Sequence, residues 1–249
     1  MSFAGLKVRQ PDILLRMTEH TTPSVSQILS IDDLHGPAGR LEAVLNCGSD
    51  SARYSVVICH PYPPAGGTMH NKVVYNAMKT FSSFGLPVVR FNFRGVGLSE
   101  GAFDDARGEQ DDVRSVLDWM EKNLHLPILL AGFSFGSYVG LRASCGDARV
   151  KGLVGLGLPV RAAGRDYSYD FLPKCRGPKL FISGDHDQFG PREVMEKVLE
   201  TATQPKQLFW VEGGDHFFQG IPGSPSPKLD VMRIHLRDWL REEWTLSLI

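Results

Sequence analysis

Cysteine is scarce in this chain: four residues in 249, at positions 47, 59, 145 and 175. Their spacing fits no thiolate metal site, and they form no disulfide framework of the kind that staples a small secreted scaffold. Cys59 stands inside an apolar strand segment, the setting of a buried free thiol. The N-terminus has no run resembling the apolar stretch of a secretion signal, and no apolar run reaches the length of a membrane span. Together these absences set the expectation of a reducing cytoplasm. An excess of either charge is missing too, with 27 Lys and Arg against 28 Asp and Glu. Without a global field, neither nucleic acid nor a membrane surface is an expected partner. Internal repeats are absent, and the length suits one α/β domain.

What is present centres on Gly132-Phe133-Ser134-Phe135-Gly136. Leu126 to Ala131 precede it as an apolar strand, and Ser137 to Ser144 continue as a helix. Strand, Gly-x-Ser-x-Gly and helix form a nucleophile elbow, in which a tight turn pushes the serine hydroxyl away from the sheet. The glycines let two backbones approach closely. A nucleophilic serine needs a base, and the base an orienting acid. Downstream, the strand Pro178–Ser183 runs into Gly184-Asp185-His186-Asp187-Gln188-Phe189. The strand Lys206–Val211 runs into Glu212-Gly213-Gly214-Asp215-His216-Phe217-Phe218. Both turns lie past the C-terminal ends of strands, where sites assemble on parallel sheets. Asp187, further out on its loop, is favoured over Asp185 as the acid. His216 is favoured over His186, which lies too near the acid to reach the serine.

A tetrahedral intermediate also needs two donors for its oxyanion. The N–H after the nucleophile, on Phe135, is one. The other falls in His60-Pro61-Tyr62-Pro63-Pro64, after the strand Tyr54–Cys59. Proline has no N–H, so Tyr62 is left as the donor beside His60. His60 itself reads as structural, its ring bonded to the loop.

Elsewhere strands and helices alternate. Ser26–Ile31 and Arg40–Asn46 read as an antiparallel edge pair, followed by Tyr54–Cys59 and Pro87–Asn92. Helices are predicted over 71–84, 109–123, 191–202 and 227–244. With Val150–Leu156, the strands total eight. Glu109, Asp111 and Asp112 suit the positive end of a helix dipole. Met232, Leu236, Trp239 and Leu240 read as a core stripe. The Arg94 loop, with Gly95, Gly97 and Gly101, lacks the Lys-Ser/Thr ending of a phosphate cradle and reads as a strand-to-helix turn.

The motifs His60-Pro61-Tyr62-Pro63, Gly66-Gly67-Thr68-Met69, Asn71-Lys72-Val73-Val74, Arg90 to Ser99, Gly132 to Gly136, Gly184 to Asp187 and Asp215 to Phe218 resemble those of small serine α/β-hydrolases. More narrowly, they resemble the compact bacterial branch near dienelactone hydrolase and the prolyl oligopeptidase-like hydrolases. The resemblance covers roughly residues 25–245. It implies an α/β-hydrolase fold with a mostly parallel eight-stranded sheet, helices on both faces and no cap domain. Two departures stand out. Tyr62 occupies a position where related chains often have histidine, and Ser134 replaces the cysteine nucleophile of dienelactone hydrolase, so that enzyme's substrate is not carried over.

The expected domain spans 25–249, with 1–24 a loosely held arm. The expected activity is hydrolysis of small carboxylic esters by Ser134, His216 and Asp187, with no metal and no organic cofactor. The same machinery cleaves amides and thioesters, and a non-catalytic binding module on this fold is the alternative of another class. The connection from Leu158 to Cys175, eighteen residues, is too short for a lid domain. Phe133, Phe217, Phe218 and Tyr167 are the expected pocket residues. Bulky aromatics beside the carbonyl imply a preference for acetyl to butyryl esters.

Overall fold

The computed structural model describes residues 27–220 and 228–249. The expected N-terminal arm, residues 1–24, lies outside them.

Eight strands form the main sheet: β1 (Ile28–Ile31), β2 (Ala43–Asn46), β3 (Ser55–Cys59), β4 (Val88–Phe91), β5 (Ile128–Phe133), β6 (Val150–Leu156), β7 (Lys179–Gly184) and β8 (Lys206–Val211). Their spatial order is β1-β2-β4-β3-β5-β6-β7-β8. β1 and β2 pair antiparallel, as do β2 and β4; β3 to β8 are mutually parallel. β3, β4, β5 and β7 are buried at every residue. That explains their continuous apolar runs, because a parallel sheet is covered on both faces.

Five helices supply the cover: α1 (Lys72–Ser82), α2 (Gly108–Leu124), α3 (Phe135–Ser144), α4 (Arg192–Glu200) and α5 (Lys228–Trp244). On one face α1 and α5 bury Val73, Val74, Ala77, Phe81, Met232, Leu236, Trp239 and Leu240. On the other, α2, α3 and α4 bury Val113, Val116, Leu117, Met120, Val139, Leu141, Met195 and Leu199. Each of the Val, Leu, Met and Phe side chains among them contributes about 1.5–3 kcal/mol by leaving water. The Asn71 side chain caps α1 by accepting from the Val73 N–H at 2.9 Å, which satisfies one of the free donors at that end.

Several local readings shift. β5 runs on through Gly132 to Phe133, and α3 begins at Phe135, so Ser134 alone turns the chain. Two of the three acids near the start of α2 do more than complement its dipole. Asp112 takes the Arg94 guanidinium at 2.7 Å, and Glu109 accepts the Asp104 N–H at 2.7 Å. Arg94 is thereby spent inside the protein, and its loop is a connection to α2, not an anion cradle.

Cysteine pairing is a correction. Cys145, the residue after α3, is disulfide-bonded to Cys175 at the end of the Leu158–Cys175 connection, with Cα atoms 4.8 Å apart. Cys47 and Cys59 are buried free thiols. Thirty residues separate the bonded pair in sequence, so spacing gave no hint of it. The bond also removes one ground for expecting a reducing compartment. No helix among the described residues is long and apolar enough to cross a membrane.

The connection itself holds a small hairpin, Arg161–Ala162 with Arg165–Asp166, and a short turn of 3-10 helix, Leu172–Lys174. It contains no lid domain. Its aromatics Tyr167, Tyr169 and Phe171 are buried against Tyr138 of α3.

Candidate active site

Ser134 holds φ 54° and ψ −123°, a conformation that costs a non-glycine residue about 1–3 kcal/mol and persists only when its surroundings enforce it. The strand and helix on either side enforce it here. Gly136 has no room for a side chain, since a Cβ there would meet the His60 and Cys59 carbonyls at the end of β3. The turn places Ser134 at the C-terminal edge of the sheet and at the N-terminus of α3.

The loops after β7 and β8 converge on it. His216 Nε2 lies 2.8 Å from Ser134 Oγ, and His216 Nδ1 lies 2.8 Å from Asp187 Oδ2. The Asp187 carboxylate accepts only, so Nδ1 carries the proton and donates to it. Nε2 is then an acceptor facing the serine hydroxyl. The second carboxylate oxygen accepts from the Phe189 N–H at 2.8 Å and the Gly190 N–H at 3.2 Å. Asp187 is therefore held at both oxygens. His216 and Asp187 are almost fully buried, while Ser134 keeps a little exposure. Asp215 fixes the His216 loop by accepting from the Phe217 and Gln219 N–H groups at 3.0 and 2.7 Å.

Asp185 and His186 are elsewhere. They pair with each other, Nδ1 to Oδ1 at 2.7 Å, on the surface. The structure thus joins Ser134 to Asp187 and His216 and leaves the competing acid and histidine outside the line.

Phe135 opens α3, so its N–H has no partner within the helix and points with the helix dipole. Neither that N–H nor the N–H of Tyr62 has an acceptor among the described residues. The Tyr62 loop folds back tightly, with the Ala65 and Gly67 N–H groups donating to the Tyr62 carbonyl at 3.2 and 3.0 Å. A side chain at Gly67 would collide with the Pro61 carbonyl. His60 Nδ1 donates to the Pro61 carbonyl at 2.7 Å, and its Nε2 accepts the Phe93 N–H at 3.0 Å. Donating at one nitrogen and accepting at the other requires the neutral ring, and burial pushes its pKa down to about 4. His60 is thus structural, as its sequence position suggested. Asn92 closes the far end by accepting the Met69 N–H at 2.8 Å.

The expected pocket residues divide. Phe217 is 41% exposed and stands edge-on to His216 at 5.2 Å. Phe133 is buried behind the His216 ring, 5.1 Å away. Phe218 is a correction: it is buried within the core cluster under α1 and α5 and offers no wall to a ligand. Tyr167 is buried, edge-on to Tyr138 at 5.0 Å. Sequence reasoning missed Phe189, whose ring meets His216 at 4.7 Å, although it lies only two residues past Asp187. It also missed Phe103, whose ring centroid lies 5.4 Å from that of Tyr62 and 5.7 Å from that of Phe135; nothing local marks that residue. Among the described residues no group of three or more His, Cys, Asp or Glu converges as metal ligands would.

A family model for the alpha/beta hydrolase domain matches residues 52–233. An uncharacterised protein of Rickettsia prowazekii is 31% identical over 192 residues, 74% of this chain and 80% of that one. A solved Xanthomonas campestris protein, described as an a/b serine hydrolase without lid, is 34% identical with a TM-score of 0.74, covering 91% of this chain and 98% of its own. An alpha-beta serine hydrolase homologue from Coxiella burnetii is likewise 34% identical, with a TM-score of 0.73 and coverage of 86% and 97%. An esterase of Butyrivibrio proteoclasticus with ferulic acid bound, at 17% identity and a TM-score of 0.70, shares the fold. The family match runs from just before β3 into α5, across every strand that carries the site, and with it the chain belongs to the α/β-hydrolases, in the lidless form of their serine hydrolases.

Proposed function

We propose that the chain hydrolyses small carboxylic esters through an acyl-enzyme on Ser134. The observation that carries this reading is the unbroken line from Asp187 through His216 to Ser134 Oγ, two contacts of 2.8 Å each. Two unengaged N–H groups, on Tyr62 and Phe135, accompany it.

In the proposed reaction Ser134 Oγ attacks the acyl carbon while His216 Nε2 takes its proton. Asp187, the acceptor at Nδ1, steadies the imidazolium that forms. The carbonyl oxygen becomes an oxyanion and is held by the Tyr62 and Phe135 N–H groups, the latter reinforced by the start of α3. His216 returns the proton to the leaving alcohol, then activates water to clear the acyl group. Solved esterases that share this fold make the ester the first substrate to test, and a serine that keeps a little exposure without a lid domain suits a small one.

Ser134→Ala and His216→Ala should each lower turnover of p-nitrophenyl acetate by about 10⁴–10⁶-fold, because these groups act as a unit. Circular dichroism should remain that of the wild type. Measurable esterase activity surviving in Ser134→Ala would remove the acyl-enzyme, and failure of the wild type to react with a fluorophosphonate would leave a binding module as the better reading.

A further inference from the structure

The Leu158–Cys175 connection is tied to the loop before α2 by a contact that spans sixty residues of sequence. Arg165 Nη1 donates to the Asp105 carbonyl at 2.6 Å and also to the Asp105 carboxylate. Its guanidinium lies over the rings of Tyr167 and Tyr138, 5.3 and 5.6 Å from their centroids. This is more than a loose surface pair: the Arg165 side chain is only 25% exposed. On the other side, Asp105 and Ala106 both hold positive φ, 52° and 65°, without being glycine. That costs about 1–2 kcal/mol each, and the contorted backbone turns the Asp105 carbonyl toward the arginine.

Two residues before Asp105 stands Phe103, whose ring meets those of Tyr62 and Phe135, the residues carrying the two free N–H groups. Two residues after Arg165 stands Tyr167, buried and held by its own N–H to the Val160 carbonyl at 2.9 Å. The contact therefore joins the Phe103 loop to the 161–166 hairpin that leads into Tyr167. Phe133, Phe189 and Phe217 meet His216 instead. The leaving oxygen must lie beside His216, which gives it a proton. With the leaving oxygen there, the acyl chain is left the opposite flank, where Phe103 meets Tyr62 and Phe135.

From this geometry we infer that the Arg165–Asp105 clasp is a specificity-determining contact: it holds the acyl flank closed and limits the site to short acyl chains. The inference rests on the serine-hydrolase reading. Arg165 and Asp105 act as positioning residues and need not touch substrate. With the clasp closed, the Phe103 loop and the 161–166 hairpin cannot separate. With it open, they can admit a longer chain. An ion pair this close to solvent adds little to global stability, so its loss should register in selectivity.

Alkyl fluorophosphonates test this, because the alkyl group on phosphorus takes the place of the acyl chain. Ser134 Oγ forms a bond to phosphorus, the P–F bond breaks, fluoride departs and the serine proton passes to His216. Capture rates of an ethyl and an octyl probe are followed by intact mass for wild type, Arg165→Gln, Asp105→Ala and the double variant. The wild type should favour ethyl. Arg165→Gln, which loses both contacts, should raise the octyl-to-ethyl rate ratio by about fivefold to tenfold; Asp105→Ala should raise it less, because the Asp105 carbonyl still accepts from Arg165, and the double variant should match Arg165→Gln. The Asp105 side chain is 65% exposed, so Asp105→Ala opens no cavity and is the second variant should Arg165→Gln not fold. A wild type that favours octyl, or a ratio unmoved in the folded variants, overturns the clasp while leaving the hydrolase reading intact. A wild type captured by neither probe overturns the hydrolase reading, and the clasp falls with it.

Discussion

His60 shows how much one buried ring can decide. Its neutral form bonds Pro61 and Phe93 at once, so protonation at Nε2 would break the second contact. In the unfolded chain a histidine binds a proton below about pH 6.5; in the folded protein burial delays that until about pH 4. Across that window the unfolded state holds more protons. Stability is therefore complete above about pH 6.5 and falls as pH drops toward 4, by about 3 kcal/mol from this residue. Urea unfolding at pH 7 and pH 4.5 reads it: His60→Gln should start less stable yet lose less between the two values than the wild type. Equal losses would assign the acid sensitivity to other groups. At the acid position the prediction is a contrast. Asp187→Asn should cut kcat by about 10²–10⁴-fold by disturbing the His216 tautomer, whereas Asp185→Asn, which faces only His186, should leave the ester rate near wild type. A larger loss in Asp185→Asn would reverse the assignment of the acid.

Among the elements, α3 and the connection after β6 depend on each other. α3 carries the elbow at one end and, just past the other, Cys145, which is bonded to Cys175. Arg142 adds a contact to Asp170 at 3.0 Å and lies over Phe171 and Tyr138. A bond that closes a loop of this length restricts the unfolded chain and stabilises by about 3–4 kcal/mol. Cys145→Ser with Cys175→Ser should lower the urea-unfolding free energy by that amount, and dithiothreitol should bring the wild type to the same value. An unfolding midpoint insensitive to dithiothreitol would show that the pair contributes nothing in solution.

For the molecule as a whole, the absent lid leaves the two flanks of the site unequal. The His216 flank ends in exposed Phe217, so alcohols of varied size should be tolerated. The other flank is closed by loops that meet each other. In the proposed reading the narrowing falls to the Phe103 loop and the hairpin before Tyr167, since Phe218 is buried in the core. A methylene placed in a fitted pocket would gain about 0.8 kcal/mol; here added methylenes should find no such pocket. With p-nitrophenyl esters of graded chain length, kcat/KM should peak between acetyl and butyryl and fall by octanoyl. A maximum at decanoyl or beyond would sink the short-chain reading.

The strands, the helices and the order of serine, acid and histidine were legible because their signals are local. Continuous apolar runs mark buried parallel strands, and a strand ending in a polar turn marks where a functional loop begins. Gly132 and Gly136 announce a turn that leaves no room for side chains. The ambiguities lay where two residues share one turn. Asp185 and Asp187 stand two apart, and only the paths of the β7 and β8 loops determine that Asp187 meets His216 while Asp185 meets His186. The same limit applies to Cys145 with Cys175, Phe103 with Tyr62, and Arg165 with Asp105. None of these pairs repeats with a helix or strand period. Each is brought together by crossovers between strands distant in sequence, so its existence follows from packing the whole sheet and from no stretch of sequence read alone.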